Sequence, residues 1–333
     1  MTIAPPNAGE RMVLASELQA RFGGVAQVDI PLSAISQWKV GGKADLIYRP
    51  ENSDALAGAL LWLRARGIRP TVIGMTSNLL FSDRGLRGVV VQIASGCGHC
   101  RVDADILSAD AGAWVPYVAY TAMRNRLTGI EHICGIPGAL GGLLSMNGGS
   151  LRRSIAENVV DIDVIDSSGA ERTLPVESCN FSYRSSRFQE SGEIILRCRL
   201  KLDRLDQSRS IKTAMLTILR DRRRFPRKQP NCGSVFVSNP RMYETFGAPG
   251  RVIESLGYKS FRVGSASVSP EHANFIINEG GAKARDILEI IGTIRDDVFR
   301  STGHMMRVEA RYVTENGQFV SADGLDVLEL DGR

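Results

Sequence analysis

The sequence predicts an α+β protein of two or three domains. Three observations carry that expectation. A strand–helix–strand pattern occupies residues 44–73. Strand-like segments dominate from 88 to 202, with one helical stretch among them. Beyond a polar break at 203–210, helical periodicity returns and is followed by another strand-like segment.

The elements follow in chain order. Ala44–Tyr48 reads as a strand. Asn52 or Ser53 can cap a helix that runs to about Arg66, with Leu56, Leu60 and Leu63 on one face and Gly67 as its stop. Pro70–Ile73 is a short β-branched stretch that completes a βαβ unit. Residues 88–93 and 101–109 read as strands, and Trp114–Arg126 as a helix. Val159–Asp166, Arg172–Pro175 and Glu193–Leu202 are strand-like, with a turn at Gly169. Ile211–Arg224 reads as a helix ended by Pro226. Ile287, Ile290, Ile291, Ile294 and Val298 repeat at helical spacing up to Gly303, and Met305–Val313 reads as a strand. The stretch after Glu315 is polar and is expected to be peripheral.

Bulk properties narrow the function. A net charge of +5 suits an anionic small substrate, and 6% aromatic content gives little support to nucleic-acid binding. The most basic run, Arg220–Lys228, reads as the solvated end of a helix. No apolar segment is long enough to span a bilayer, and the first residues lack the apolar core of a signal peptide, so a cytoplasmic protein is expected. Six cysteines, mostly in apolar surroundings, suit buried thiols in a reducing compartment. Cys97-Gly98-His99-Cys100 has redox-motif spacing, but the residues after it alternate like a strand. A tight turn between strands is the favoured reading over a redox pair, a zinc site or a covalent flavin on His99.

Two glycine-rich loops carry the chemistry. Gly129–Gly149, GIEHICGIPGALGGLLSMNGG, holds seven glycines. Such backbone can approach a ligand closely and turn N–H groups toward an anion, or it can simply make tight turns and helix contacts. Gly74–Gly88, GMTSNLLFSDRGLRG, follows the 70–73 strand and offers Thr76, Ser77 and Asn78. It is neither a Rossmann fingerprint nor a P-loop. Two loops of this kind suggest a dinucleotide with a diphosphate.

Seven motifs in order extend that reading: Ser36–Gly42, Gly74–Leu80, Gly135–Gly149, Tyr183–Ser186 (YRSS), Pro230–Ser234, His272–Asn278 (HANFIIN) and Arg307–Arg311. In these the chain resembles the UDP-N-acetylenolpyruvoylglucosamine reductase family, from about Ser36 to Tyr312. The resemblance implies an FAD-binding module of the p-cresol-methylhydroxylase type, with subdomains at 1–93 and 94–207. A smaller α+β substrate domain at 208–315 and a tail at 316–333 would follow. It implies FAD held by Val40, Gly41 and Gly42, by Gly74, Met75, Thr76, Ser77, Asn78 and Leu79, and by Gly135, Ile136, Pro137, Gly138, Gly141, Gly142, Asn147 and Gly148. NADPH would be the reductant. The short 202–234 span resembles the type without a tyrosine-bearing insertion.

The implied reaction reduces the enolpyruvyl ether of a nucleotide sugar to a lactyl ether in peptidoglycan precursor synthesis. It needs hydride at the terminal carbon, cationic or hydrogen-bonding groups on the carboxylate, and a proton donor. By resemblance Ser234 is that donor, Arg184 contacts the carboxylate and Glu309 assists. Tyr183, Asn239, His272 and Asn274 would touch substrate. The family places a lysine after Phe236, where this chain has Val237 and one extra residue before Pro240. Ser145 and Leu151 replace its usual tyrosines, and Met75 and Thr76 stand where glycines are common. These departures leave open a divergent flavin oxidoreductase acting on another enolpyruvyl or nucleotide-linked substrate, or a flavin-binding protein without turnover. A monomer without metal, nucleic-acid or membrane partners is expected.

Overall fold

The computed structural model describes residues 7–93, 95–206, 208–238 and 240–323. The chain divides into two compact units that are each discontinuous in sequence. The first takes the N-terminal residues to Val28, Leu46–Met75 and Val89–Arg223; the second takes Asp29–Asp45, Thr76–Gly88 and the chain from Arg224 onward.

In the first unit the helix Ser53–Ala65 follows the strand Lys43–Arg49 as expected, and Asn52 caps it by accepting from Ala55 N at 2.8 Å. The strand Thr71–Ile73 runs parallel to residues 90–92 of Leu86–Gln92. That strand lies between it and Lys43–Arg49, so the crossover skips one position. A five-stranded antiparallel sheet holds most of the remaining β-structure. Its order is Glu171–Pro175, Val159–Ile165, Ile194–Lys201, Ile106–Asp110, Cys100–Asp103. Alternation drives it: Ile162, Val164, Leu107, Ala109, Cys198 and Leu200 are buried, while Arg197, Arg199 and Lys201 lie toward solvent and pair with Asp110, Asp161 and Asp105.

The single strand expected over 101–109 is a hairpin. Ala104 takes φ 51° and reverses the chain between Asp103 and Ile106. Val102, Ala104 and Ile106 alternate with polar residues through the turn, which is why the pattern reads as continuous, although the inward side shifts from Val102 to Leu107 and Ala109. The helix Val115–Arg124 buries Val115, Val118, Ala119 and Ala122 on one face, and Ser208–Asp221 buries Ile211, Met215 and Ile218.

In the second unit the helix Ala284–Thr302 buries the expected isoleucine face, and Gly303 ends it at φ 71°. A three-stranded antiparallel sheet, Arg262–Val263, Ala266–Val268 and Ile276–Asn278, packs in the same core. A second sheet sets Arg311–Val313 parallel to Leu79–Phe81 and antiparallel to Phe319–Ser321. The expected strand Met305–Val313 is therefore confined to its last three residues, and the stretch after Glu315, expected to be peripheral, supplies a paired strand and the buried Ala322. Trp38 is fully buried here; its Nε1 donates to Ile276 O at 2.7 Å, and Asn278 Nδ2 donates to Trp38 O at 2.9 Å. No helix among the described residues is long and apolar enough to cross a membrane.

Leu107 is fully buried in the five-stranded sheet, on the strand between Ile194–Lys201 and Cys100–Asp103. Leu107→Ala is expected to lower unfolding stability by about 3 kcal/mol, through lost transfer energy and a residual cavity. Urea denaturation would report this as a lower midpoint at unchanged slope; an unmoved midpoint would contradict the assigned burial.

Candidate active site

Ser234 and Glu309 lie in the second unit on two segments that pair across a single β-bridge, Phe236 with Val308. Glu309 N donates to Val235 O at 2.7 Å and Val237 N to Arg307 O at 2.9 Å. Both Ser234 and Glu309 are half-buried, whereas Val235 and Phe236 are buried beneath them. Both polar residues thus adjoin an apolar floor, the buried Val235, Phe236 and Val308, while staying partly exposed.

Two asparagines from distant segments hold this bridge. Asn274 Oδ1 accepts from Phe236 N (2.9 Å) while its Nδ2 donates to Phe236 O (3.0 Å), and Val235 N donates to Asn274 O (2.9 Å). Asn78 Nδ2 donates to Glu309 O at 2.8 Å, and Arg311 N to Asn78 O at 3.0 Å. Asn78 and Asn274 were both expected as ligand contacts; these bonds give each a supporting function for the serine and glutamate segments. Asn231 was not singled out from the sequence. Its Oδ1 accepts from Gly233 N at 3.0 Å and its Nδ2 donates to Pro226 O and Gln229 O, fixing the turn in which Gly233 takes φ 81°. An Asn two residues before a Gly is the legible signal for such a turn.

His272 packs edge-on against Phe225 and Phe275, and its Nδ1 accepts from Asn274 N at 3.2 Å. Burial, with Arg224 adding to it, holds its pKa below the ordinary histidine value, so the neutral ring is favoured. The Cys232 thiol is buried 3.6 Å from the Thr76 and Leu79 carbonyls, and burial pushes its pKa well up. Val40, Gly41 and Gly42 also belong to this unit. Gly41 takes φ 123° beside Phe81, and a Cβ on Gly42 would stand 2.4 Å from Asp83 O. Asn239 lies outside the described residues.

The first unit holds Arg184, Tyr183 and the long glycine run. That run contains a short helix, Leu140–Ser145, which the sequence does not announce. Its glycines serve different ends. Gly138 takes φ 144°, which only glycine adopts readily. A Cβ on Gly141 would stand 3.1 Å from Ala111 Cβ, and one on Gly148 2.4 Å from Leu143 Cδ1, so these two permit close packing. Gly142 is exposed, and a Cβ there would meet open space. A Cβ on Gly74 would stand 3.5 Å from Ala139 Cβ, which brings the start of the first glycine loop beside the second. Adjacent loops with approachable backbone at Gly74 and Gly142 fit the diphosphate of a dinucleotide cofactor.

Arg184 itself takes φ 57°, the left-handed region. Its Nη2 donates to Gly149 O at 3.1 Å, and Asn147 Nδ2 donates to Ser182 O at 2.8 Å. The arginine segment is thereby tied to the end of the glycine run. Tyr183 is exposed beside it, with the guanidinium carbon 5.4 Å from its ring centroid.

The CxxC segment forms a short 3-10 turn, Ser95–Cys97, leading into the strand from Cys100. Both thiols are free. Burial, and then the Asp110 carboxylate, push each up to about 11. Among the described residues no group of three or more His, Cys, Asp or Glu side chains could hold a metal.

Comparison with known proteins adds an independent line. Residues 44–174 match an FAD-binding domain family, and residues 225–313 match the family described as UDP-N-acetylenolpyruvoylglucosamine reductase, C-terminal domain. UDP-N-acetylenolpyruvoylglucosamine reductase 1 of Corynebacterium glutamicum is 36% identical over 307 residues, covering 92% of this chain and 90% of its own. The Heliobacterium modesticaldum reductase is 36% identical over 312 residues, covering 93% and 98%. The crystal structure of the Thermus caldophilus reductase superposes with a TM-score of 0.72 at 30% identity, covering 86% of this chain and 99% of that one. The expected α+β architecture, an FAD-binding module followed by a smaller C-terminal domain, is borne out.

Asn274→Ala would leave the Phe236 N–H and C=O without their buried partners, at a cost of about 3 kcal/mol in unfolding stability by denaturant titration; a wild-type midpoint would contradict the clamp. The Cys97 and Cys100 thiols should resist thiolate-selective reagents at pH 7 in the folded protein. They should react as pH rises toward their raised values, or at once on unfolding.

Proposed function

The chain belongs to the UDP-N-acetylenolpyruvoylglucosamine reductase family, and from that membership we propose that it reduces UDP-N-acetylglucosamine enolpyruvate to UDP-N-acetylmuramate with electrons from NADPH. It is an FAD-dependent oxidoreductase of peptidoglycan precursor synthesis. The observation that carries the reading is the bridge that pairs the serine and glutamate segments, with Glu309 N on Val235 O. Two chemically useful side chains half-open to solvent on one paired backbone suit proton delivery to a bound substrate. We read residues 1–93 and 94–207 as the FAD subdomains, 208–315 as the substrate domain and 316–333 as a C-terminal stretch whose Phe319–Ser321 strand pairs with Arg311–Val313, in a monomeric cytoplasmic enzyme.

The Gly74–Leu79 and Gly135–Gly148 loops, with Val40–Gly42, hold the FAD, which when bound supplies hydride chemistry. The protein's own groups do the rest. Arg184 grips the substrate carboxylate with its planar fork, which orients the double bond and stabilises the negative charge that develops there as an enediolate. The Ser234 hydroxyl gives its proton to the carbon bearing that carboxylate. A serine is a weak acid, so the transfer depends on the carbanion character of the carbon and on placement by Asn231 and Asn274. Glu309, in its acid form, donates a hydrogen bond toward the developing charge and returns a proton to the serine. The net change adds one hydride and one proton across the carbon–carbon double bond. Tyr183 and His272 serve as substrate contacts, and Asn239 is proposed with them.

A second reading has a specific basis. Val237 stands where the family carries a lysine, and its N–H is spent on Arg307 O. An enzyme of this fold without that cation suits another enolpyruvyl or nucleotide-linked substrate. Anaerobic stopped-flow separates the two. NADPH should bleach the flavin, and UDP-N-acetylglucosamine enolpyruvate should restore its colour; failure of the second step alone would favour the alternative substrate. In Ser234→Ala, flavin bleaching by NADPH should persist while reoxidation by substrate slows roughly 10²–10³-fold. Equal reoxidation rates would remove Ser234 from the mechanism.

A further inference from the structure

We propose that Gln189, outside the seven motifs that carry the resemblance, is a positioning residue for Arg184. The inference rests on the reading of Arg184 as the carboxylate-binding group. Gln189 closes the short 3-10 turn Arg187–Gln189, five residues after the arginine. Its Nε2 donates to two carbonyls: Arg184 O at 3.1 Å and Ser145 O at 3.0 Å. A third neighbour, Met146 Sδ at 3.4 Å, is a weak acceptor, so the two N–H groups of the carboxamide nitrogen are directed mainly at the two backbone carbonyls. One fixes the peptide leaving Arg184; the other anchors that peptide to the end of the helix Leu140–Ser145 in the glycine run.

The need for an anchor is visible in the backbone. Arg184 occupies the left-handed region at φ 57°, where a side chain bearing a Cβ is disfavoured. Such a conformation persists only when its surroundings hold it. The local turn contributes a pair of bonds, Ser182 N to Ser185 O and Ser185 N to Ser182 O. Those bonds close the turn on itself, and Asn147 Nδ2 on Ser182 O ties the first residue of the turn, not the Arg184 carbonyl, to the glycine run. Ser186 Oγ adds a bond to Ser145 O at 2.7 Å, but it sits beyond the arginine peptide and cannot orient that carbonyl. Gln189 alone, among these bonds, joins the Arg184 carbonyl to the loop. Arg184 Nη2 then reaches Gly149 O four residues further along the same run, so backbone and guanidinium are referenced to one segment.

Gln189 touches neither substrate nor flavin in this scheme. It acts by keeping the guanidinium where the carboxylate arrives, and misplacement of a binding group by a fraction of an ångström costs far more in productive binding than in fold stability.

The test uses the flavin-loaded full-length enzyme, with rates expressed per bound flavin. Gln189→Leu keeps the length and removes both donors; kcat/KM for the enolpyruvyl nucleotide sugar should fall about tenfold or more, mainly through KM. The rate of flavin bleaching by NADPH should stay within about twofold. Gln189→Lys, whose ammonium can reach both carbonyls, should recover most of the loss. The double variant Arg184→Ala/Gln189→Leu should be no worse than Arg184→Ala, because the glutamine acts through the arginine. Unchanged kcat/KM in Gln189→Leu, no recovery by lysine, or additive losses in the double variant would overturn the proposal. If Arg184→Ala itself turns over substrate like wild type, the underlying reading of Arg184 fails instead, and the two failures are told apart.

Discussion

The C-terminal unit depends on one reciprocal interaction, the closed pair of hydrogen bonds between the Asn274 carboxamide and the Phe236 peptide. A single β-bridge is a weak element, because it has no neighbouring rungs to hold its register. Asn274 supplies what the missing rungs would have supplied: it satisfies both polar groups of a buried peptide on the side away from the bridge partner. The Phe236 peptide thus keeps its donors and acceptors paired while Ser234 and Glu309 stay at the edge of the apolar floor. Removing polar satisfaction there would cost more than the bridge itself contributes. The chemistry is therefore placed by a side chain that takes no part in it.

The glycine runs show how one composition can answer several physical demands. Gly138 is required by its backbone angle, Gly141 and Gly148 by the close approach of Ala111 and Leu143, and Gly42 by the Asp83 carbonyl. Gly142 is required by neither its angle nor its neighbours and faces solvent. Glycine content alone cannot separate these uses, since each removes a Cβ for a different reason. The packing glycines still serve the exposed one: by letting the short helix sit down on Ala111 they fix the backbone that Gly142 leaves approachable.

Much of the fold was legible where a period could be counted. The isoleucine repeat from Ile287 to Val298 gave its helix and buried face, and Asn52 with Gly67 bracketed another. Three-residue strands carry no such period. Leu79–Phe81 and Phe319–Ser321 exist because each pairs with Arg311–Val313, a fact set by distant chain rather than by local sequence. The hairpin at Ala104 hid inside the apolar–polar alternation that Val102, Ala104 and Ile106 carry through the turn. The motif residues Arg184, Ser234 and Glu309 could be picked out along the sequence. Gln189 and the clamping use of Asn78 and Asn274 were not, because a supporting hydrogen bond leaves no mark on either partner's immediate neighbours; Asn231, two residues before Gly233, did carry a local turn signal.

The discontinuity of the two units also orders events in time. Every segment of the first unit has been synthesised once Arg223 is made, so that unit can assemble from contacts already present. The second cannot: Asn78 meets Glu309 across 231 residues and Trp38 meets Ile276 across 238. Segments made early must wait for nearly the whole chain, and long-range pairing of this kind is slow and exposes apolar surface meanwhile. Trp38 and Leu80, fully buried at the end, are the residues that a nascent chain would leave longest in search of partners. A stop before residue 276 would take away the Ile276 and Asn278 partners of Trp38, and a stop before residue 311 would take away the strand that pairs with Leu80.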